Sequence, residues 1–249
     1  MTPGTTIAVS RRVLTQLRRD PRTVALMLLV PCLLLALLRW VFGEAGDGAT
    51  FQRLGPSLIA IMPFIVMFVV TSVTMLRERT AGTLERLLAM PTGRGDILVG
   101  YALAFLAVCV VQAGLVIALA VGLLGLEVSG PLWALVAVAL TDAFLGTALG
   151  LAVSAFARTE FQAVQFMPAL ILPQLLLCGL FVPREAMPRA AEILSDLLPM
   201  SYAVDAMTGV QAGTGGAVAD GTWADLGVVA ALAVVVLMLG TLTLRRRTD

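Results

Sequence analysis

Few side chains in this sequence could do chemistry, and the one most placed to is a carboxylate. Asp142 interrupts the run ALTDAFLG, midway through an otherwise apolar stretch. A charge near a bilayer centre costs several kcal/mol, so it faces a partner, a cavity or a pathway. Asp142 could contact a transported molecule or a proton, or be satisfied by Thr141 or a neighbouring helix. Gln112, Gln165 and Gln174 also interrupt apolar helices. Hydrogen bonds between helices account for most such residues. Contact with a transported molecule is the alternative, and Gln112, Asp142 and Gln165 are the candidates for a pathway. Cys32, Cys109 and Cys178 lie inside apolar runs, as small buried hydrophobes do, at spacings that suit neither zinc nor a disulfide framework. The chain has no His, which excludes a Ser-His triad and an imidazole metal site. All 17 basic residues are Arg, so an ordinary Walker A loop, which needs Lys, is excluded as well. No catalytic centre, bound metal or cofactor is expected on this chain. A formal net charge of +1 gives no case for nucleic acid.

The second chemically active stretch is RERTAGTLERLLAMP, residues 77–91, set between two apolar runs. Leu84, Leu87 and Leu88 fall on one helical face at i, i+3 and i+4. Glu78, Glu85 and Arg86 flank that ridge. Thr83 after Gly82 can cap the helix, and Pro91, Gly93 and Gly95 end it. A short amphipathic helix of this kind seeks either the membrane surface or a groove on a protein partner.

The elements that must position these residues follow from composition. The chain is 59% hydrophobic and 13% charged, with mean hydropathy +0.96, which argues for membrane helices. Six runs are long and apolar enough to span: 24–42, 58–76, 97–124, 132–156, 162–182 and 225–244. The third and fourth exceed the need and should tilt or project. Pro168 and Pro173 predict a kinked or broken fifth span.

With the N-terminus in the cytoplasm, Arg11, Arg12, Arg18, Arg19, Arg22, Arg77, Arg79, Arg86, Arg94, Arg158 and Arg245 to Arg247 all face inward. Only Arg39, Arg53, Arg184 and Arg189 face outward. That asymmetry sets the expected orientation, with both termini cytoplasmic. The segment before the first span, 1–23, reads as a basic amphipathic helix on the inner membrane face. Ile7, Val13, Leu14 and Leu17 would dip into lipid while its Arg residues meet anionic head groups. Gly146-xxx-Gly150 permits close helix approach and is expected to serve packing within the chain. The outer segment 183–224 is too long for a tight turn. Ile193, Leu194, Leu197 and Leu198 give 192–200 helical periodicity, and a re-entrant or interfacial hairpin is expected there. Residues 211–221 read as a Gly/Ala-rich loop.

Two stretches carry a family resemblance. RERTAGTLERLLAMPTGRGDILVGY resembles the signature loop of ABC-2 family ABC transporter permeases, of the daunorubicin and drug-resistance exporter type. The segment LPMSYAVDAM, residues 198–207, is similar to the one preceding the last span in such proteins. Where many members continue Gly-Lys, this chain has Gly100-Tyr101. The resemblance implies an all-α integral membrane protein with six spans, an N-terminal interfacial helix, a cytoplasmic coupling helix in the loop 77–96 and an outer re-entrant hairpin. It further implies that Gly82, Thr83, Leu84, Glu85, Leu87 and Leu88 contact an ATP-binding subunit. That subunit is expected to be a separate chain, present in two copies, that binds ATP and Mg. A second permease copy, identical or related, completes the assembly. The implied activity is export of a hydrophobic or amphipathic substrate across a bacterial plasma membrane. The alternatives are a membrane-embedded enzyme, for which only Asp142 offers a group at membrane depth, or a proton-coupled secondary transporter using Asp142.

Overall fold

The computed structural model describes residues 3–44, 46–83, 93–214 and 216–243. Among them every regular element is helical. We number the α-helices in chain order: α1 Pro3–Arg18, α2 Pro21–Glu44, α3 Gly48–Thr80, α4 Arg94–Gly122, α5 Leu132–Val153, α6 Glu160–Leu177, α7 Arg189–Asp196, α8 Pro199–Gln211 and α9 Thr222–Thr243. A 3₁₀ turn at Arg184–Ala186 precedes α7. Six of these helices (α2 to α6 and α9) are long and apolar enough to cross a membrane.

Helix boundaries follow local chemistry. Asp47 caps α3 by accepting from the Thr50 backbone N–H, and Thr159 caps α6 by accepting from that of Gln162. Because of the Asp47 cap, α3 begins ten residues before the apolar run that marks it in the sequence, and carries Pro56 and Pro63 inside it. Pro168 and Pro173 likewise sit within one continuous α6, where the sequence leaves a break open. That helix stops at Leu177 rather than 182. Residues 192–200 do not form one helix either. Pro199 cannot donate to a preceding turn, so α7 ends at Asp196 and a new helix starts with Pro199 in its first turn.

The centre of the bundle is α3 against α5. Gly146 brings α5 onto the Phe64 carbonyl of α3, and Gly150 brings it onto Phe68, Thr71 and Ser72. This is the close intramolecular approach expected from the glycine spacing. Helix α5 also packs on α9, and α9 on α8. Met200, Val204, Met207 and Val210 of α8 are buried in the main core, with Phe64, Phe68 and Leu135. By contrast α2, α6 and α9 each bury only 17% of their apolar window in the protomer, so their remaining faces meet lipid or another chain. Ile193, Leu194 and Leu197 of the α7 region also stay exposed. Trp40, Trp133 and Trp223 all lie at the end of the bundle opposite the Arg-rich one, and Trp133 stacks on Trp223 at 5.3 Å. Exposed tryptophans at one level mark a membrane boundary.

Helix α1 departs from expectation in one respect. Val13 is buried, with Val9, against Ile97, Leu98 and Tyr101 of α4, and Leu14 and Leu17 pack on the same cluster. Only Ile7 projects outward, 56% exposed. Gly100 permits this docking, since a Cβ there would stand 2.7 Å from Val9 and 2.9 Å from the Thr6 carbonyl. The amphipathic face expected to enter lipid therefore packs mainly on the chain itself.

Candidate functional site

The arginine-rich end of α3 gathers two ion pairs. Glu78 lies two residues before the end of α3, with its side chain only 2% exposed. A carboxylate so buried needs donors. Arg12 of α1 supplies one, Nη2 donating to Oε2 at 2.9 Å. The Thr83 hydroxyl supplies another, at 2.6 Å from Oε2. Burial disfavours charge on Arg12, but the bond to Glu78 and its charge outweigh this and raise the guanidinium above its ordinary value.

Gly82 makes the Thr83 contact possible. Its φ is +67°, in the left-handed region, and a Cβ there would meet nothing within 4 Å. Glycine is thus required at this position by backbone conformation rather than by space. The turn reverses the chain so that Thr83 reaches back to Glu78. The sequence assigns Thr83 to capping the helix that follows; its described side-chain bonds run back to Glu78, and the residues it would cap lie outside the described ones. Leu84, Glu85, Leu87 and Leu88 lie outside the described residues.

The far stem of the same loop is tied to α1 as well. Asp96 is buried; its Oδ1 accepts from the Thr6 hydroxyl at 3.3 Å, and its Oδ2 accepts from the Gly93 N–H at 3.3 Å, capping α4. Arg77 adds a third tie, its Nε and Nη2 donating to the two carboxylate oxygens of Glu160 at 2.8 and 3.0 Å, which joins α3 to the start of α6. The helix ends on either side of residues 84–92 are therefore both clamped to one amphipathic helix, and α3 is clamped to a neighbouring span. These bonds join α1, α3, α4 and α6 at the helix ends that flank residues 84–92. Glu78, Arg12, Asp96 and Glu160 are the functional candidates that sequence reasoning missed. Their one visible signal was acidic residues at the ends of apolar runs facing an Arg-rich leader.

The three pathway candidates share no accessible surface in this conformation. Gln112 is fully buried and its Nε2 donates to the Met27 carbonyl of α2 at 2.9 Å, an interhelical tie. Gln165 is exposed on α6. Asp142 is fully buried in α5, and neither carboxyl oxygen has a partner among the described residues. A buried polar group without a partner weakens the fold by about 1–3 kcal/mol. Asp142→Leu is therefore expected to raise the thermal midpoint of the detergent-purified chain. A lowered midpoint would show that the carboxyl has a partner in the working assembly.

At the opposite end, Arg184 bonds to both Asp196 and Asp205, and its guanidinium lies 5.5 Å from the Tyr202 ring centroid. The Tyr202 hydroxyl donates to the Asp196 carbonyl at 2.7 Å. This cluster fastens α7 to α8 and closes the outer segment.

Six apolar helices and a docked amphipathic N-terminal helix define an all-helical integral membrane protein. The chain belongs to the ABC-2 type transporter family, whose sequence profile matches residues 5–212. It is similar to the "Probable multidrug ABC transporter permease YbhR" of Escherichia coli K12, 31% identical over 150 residues that cover 60% of this chain and 41% of that protein. It is also similar to the linearmycin resistance permease protein LnrN of Bacillus subtilis, 27% identical over 167 residues covering 66% and 42% of the two chains. ABC transporter G family member 20 of Dictyostelium discoideum is 27% identical over 154 residues, 62% of this chain and 21% of that protein. The chain thus aligns with less than half of each of these relatives.

Proposed function

We propose that this chain is the membrane-spanning permease of an ATP-driven exporter, moving a hydrophobic or amphipathic molecule out of a bacterial cell by alternating access. The observation that carries this reading is the clamp: the two helix ends that flank residues 84–92 are each fixed to α1. An ABC ATP-binding subunit, in two copies, would bind ATP and Mg and press on Gly82, Thr83, Leu84, Glu85, Leu87 and Leu88. A second permease copy would cover part of the exposed faces of α2, α6 and α9. The N-terminus and the loop would lie in the cytoplasm, following the arginine asymmetry. Relatives named for multidrug transport and linearmycin resistance support an amphipathic cargo.

Each buried leucine of the loop would contribute roughly 1.5–3 kcal/mol to docking. Leu84→Asp or Glu85→Arg is expected to abolish export while the chain remains in the membrane. Normal export by either variant, with the ATP-binding subunit still attached, would show that the loop is no lever. Topology is checked separately. With the native cysteines replaced, Thr83→Cys should react with an impermeant maleimide only after the cells are opened. A second reading, proton-coupled transport, draws on the unpartnered Asp142 carboxyl. Transport driven by a pH gradient in vesicles without ATP would decide for it.

A further inference from the structure

A cavity of about 190 Å³ lies between the C-terminal half of α1 and the arginine-rich ends of α2, α3 and α4. Its polarity changes with depth. Gln16, Asp20, Thr23 and Arg77 form the end level with the loop stems, and Val69, Val70, Val73 and Phe105 form the inner wall. From Arg77 to Val69 is eight residues of one helix, about 12 Å along its axis. That is the sequence of environments a bilayer presents from head groups to upper acyl chains, and it suits an amphiphile aligned with the membrane lipids rather than a soluble solute.

The charges at the polar end narrow the choice. Arg77 lines the cavity and engages Glu160 through Nε and Nη2, which leaves Nη1 outside that pairing. Half-buried Asp20 accepts from the Thr23 N–H and hydroxyl, and these bonds hold its carboxyl below the usual range. The two charges lie close enough to interact. Arg77 with Glu160 and Asp20 leaves one net negative charge, which suits a zwitterion that sets its ammonium toward Asp20 and its phosphate toward the remaining Arg77 N–H groups. An anionic lipid would meet Asp20 and Glu160 unfavourably. A quaternary ammonium has no N–H to donate to Asp20, and the aromatic ring in the cavity, Phe105, is on the apolar wall rather than at the head-group level, where cation–π binding would need it.

We propose that this cavity binds the head group of a phospholipid with a primary-amine zwitterionic head, of the phosphatidylethanolamine kind, its chains running out past Val69, Val70 and Phe105 into the bilayer. The site requires only that the chain span a membrane and does not depend on ATP-driven export. A lipid seated there supports α1 from beneath, beside the residues that hold the loop stems.

The test is native mass spectrometry of the full chain released from nanodiscs containing equimolar palmitoyl-oleoyl phosphatidylethanolamine, phosphatidylglycerol and phosphatidylcholine. Phosphatidylethanolamine is expected to be retained about fivefold or more over either other lipid, the preference one charge-assisted hydrogen bond supplies. Asp20→Asn keeps an acceptor for Thr23 and should bring that preference close to one. Val73→Trp, and separately Leu17→Trp, should fill the cavity and remove the retained lipid. Equal retention of phosphatidylglycerol, unchanged retention in a folded tryptophan variant, or equal binding of soluble glycerophosphoethanolamine would overturn the proposal.

Discussion

Gly146→Leu and Gly150→Val are expected to leave little folded protein. A Cβ at Gly146 would stand 2.4 Å from the Phe64 carbonyl oxygen; one at Gly150 would stand 2.0 Å from Thr71 Oγ1 and 2.5 Å from the Phe68 carbonyl. Two of these three atoms belong to the α3 backbone, which cannot step aside as a flexible side chain can. The pair α3 and α5 must therefore separate. Overpacking typically costs about 1–3 kcal/mol and more where backbones must move, against a total stability of roughly 5–15 kcal/mol. The loss spreads, because α5 also carries α9 and the core beneath α8. The measurement is monodispersity on size exclusion and melting temperature in detergent. Gly114→Ala and Gly122→Ala are the controls. Both positions lie in α4 with nothing within 4 Å of a Cβ, and alanine there should match or slightly exceed the parent. A Gly146→Leu protein that melts with the parent would refute the packing account.

The second large effect is expected at Glu78. Glu78→Leu removes the acceptor shared by Arg12 and Thr83, and so frees one stem of the loop from α1. Export should fall at least about tenfold, the equivalent of 1.4 kcal/mol of lost coupling, while the other stem remains held through Asp96. Arg12→Met should act through the other side of the same contact. It leaves the Glu78 carboxylate 2% exposed with Thr83 and Gln16 as its remaining donors. Breaking a buried pair from one side costs about 3–5 kcal/mol, and less here because Arg12 is itself 36% exposed. The double variant Arg12→Met/Glu78→Leu should be more stable than Arg12→Met alone and no less defective in export. Additive losses across this cycle, read by melting temperature and by export in inverted vesicles, would show that the two residues act separately. This prediction stands on contacts in the described chain. The one at Leu84 and Glu85 depends in addition on what docks there.

Much of this protein was legible in its sequence because a bilayer imposes local rules. A span must be apolar for about 20 residues whatever its neighbours do, so six runs announced six helices. The glycine pair in α5 announced close approach because only glycine leaves room for a backbone. The Gly-Thr-Leu-Glu motif at residues 82–85 pointed to the family by resemblance, since its residues are contiguous in the sequence. Helix α1 was legible as amphipathic, but not what its apolar face would meet, because periodicity reports a buried face and not the surface that buries it.

What only the tertiary structure decided are pairings between distant residues. Arg12 and Glu78 are 66 residues apart, and Thr6 and Asp96 are 90 apart. In the sequence each reads as an ordinary polar residue flanking a helix. Their joint role appears only when Gly100 allows α1 to dock on α4 and brings both acids under it. Asp142 shows the converse. The sequence marked it as a charge needing a partner, and the fold buried it without one among the described residues. Local pattern fixes which segments enter the membrane, since each pays its own transfer free energy. The fold fixes which polar groups meet, since that depends on how the segments are arranged around one another.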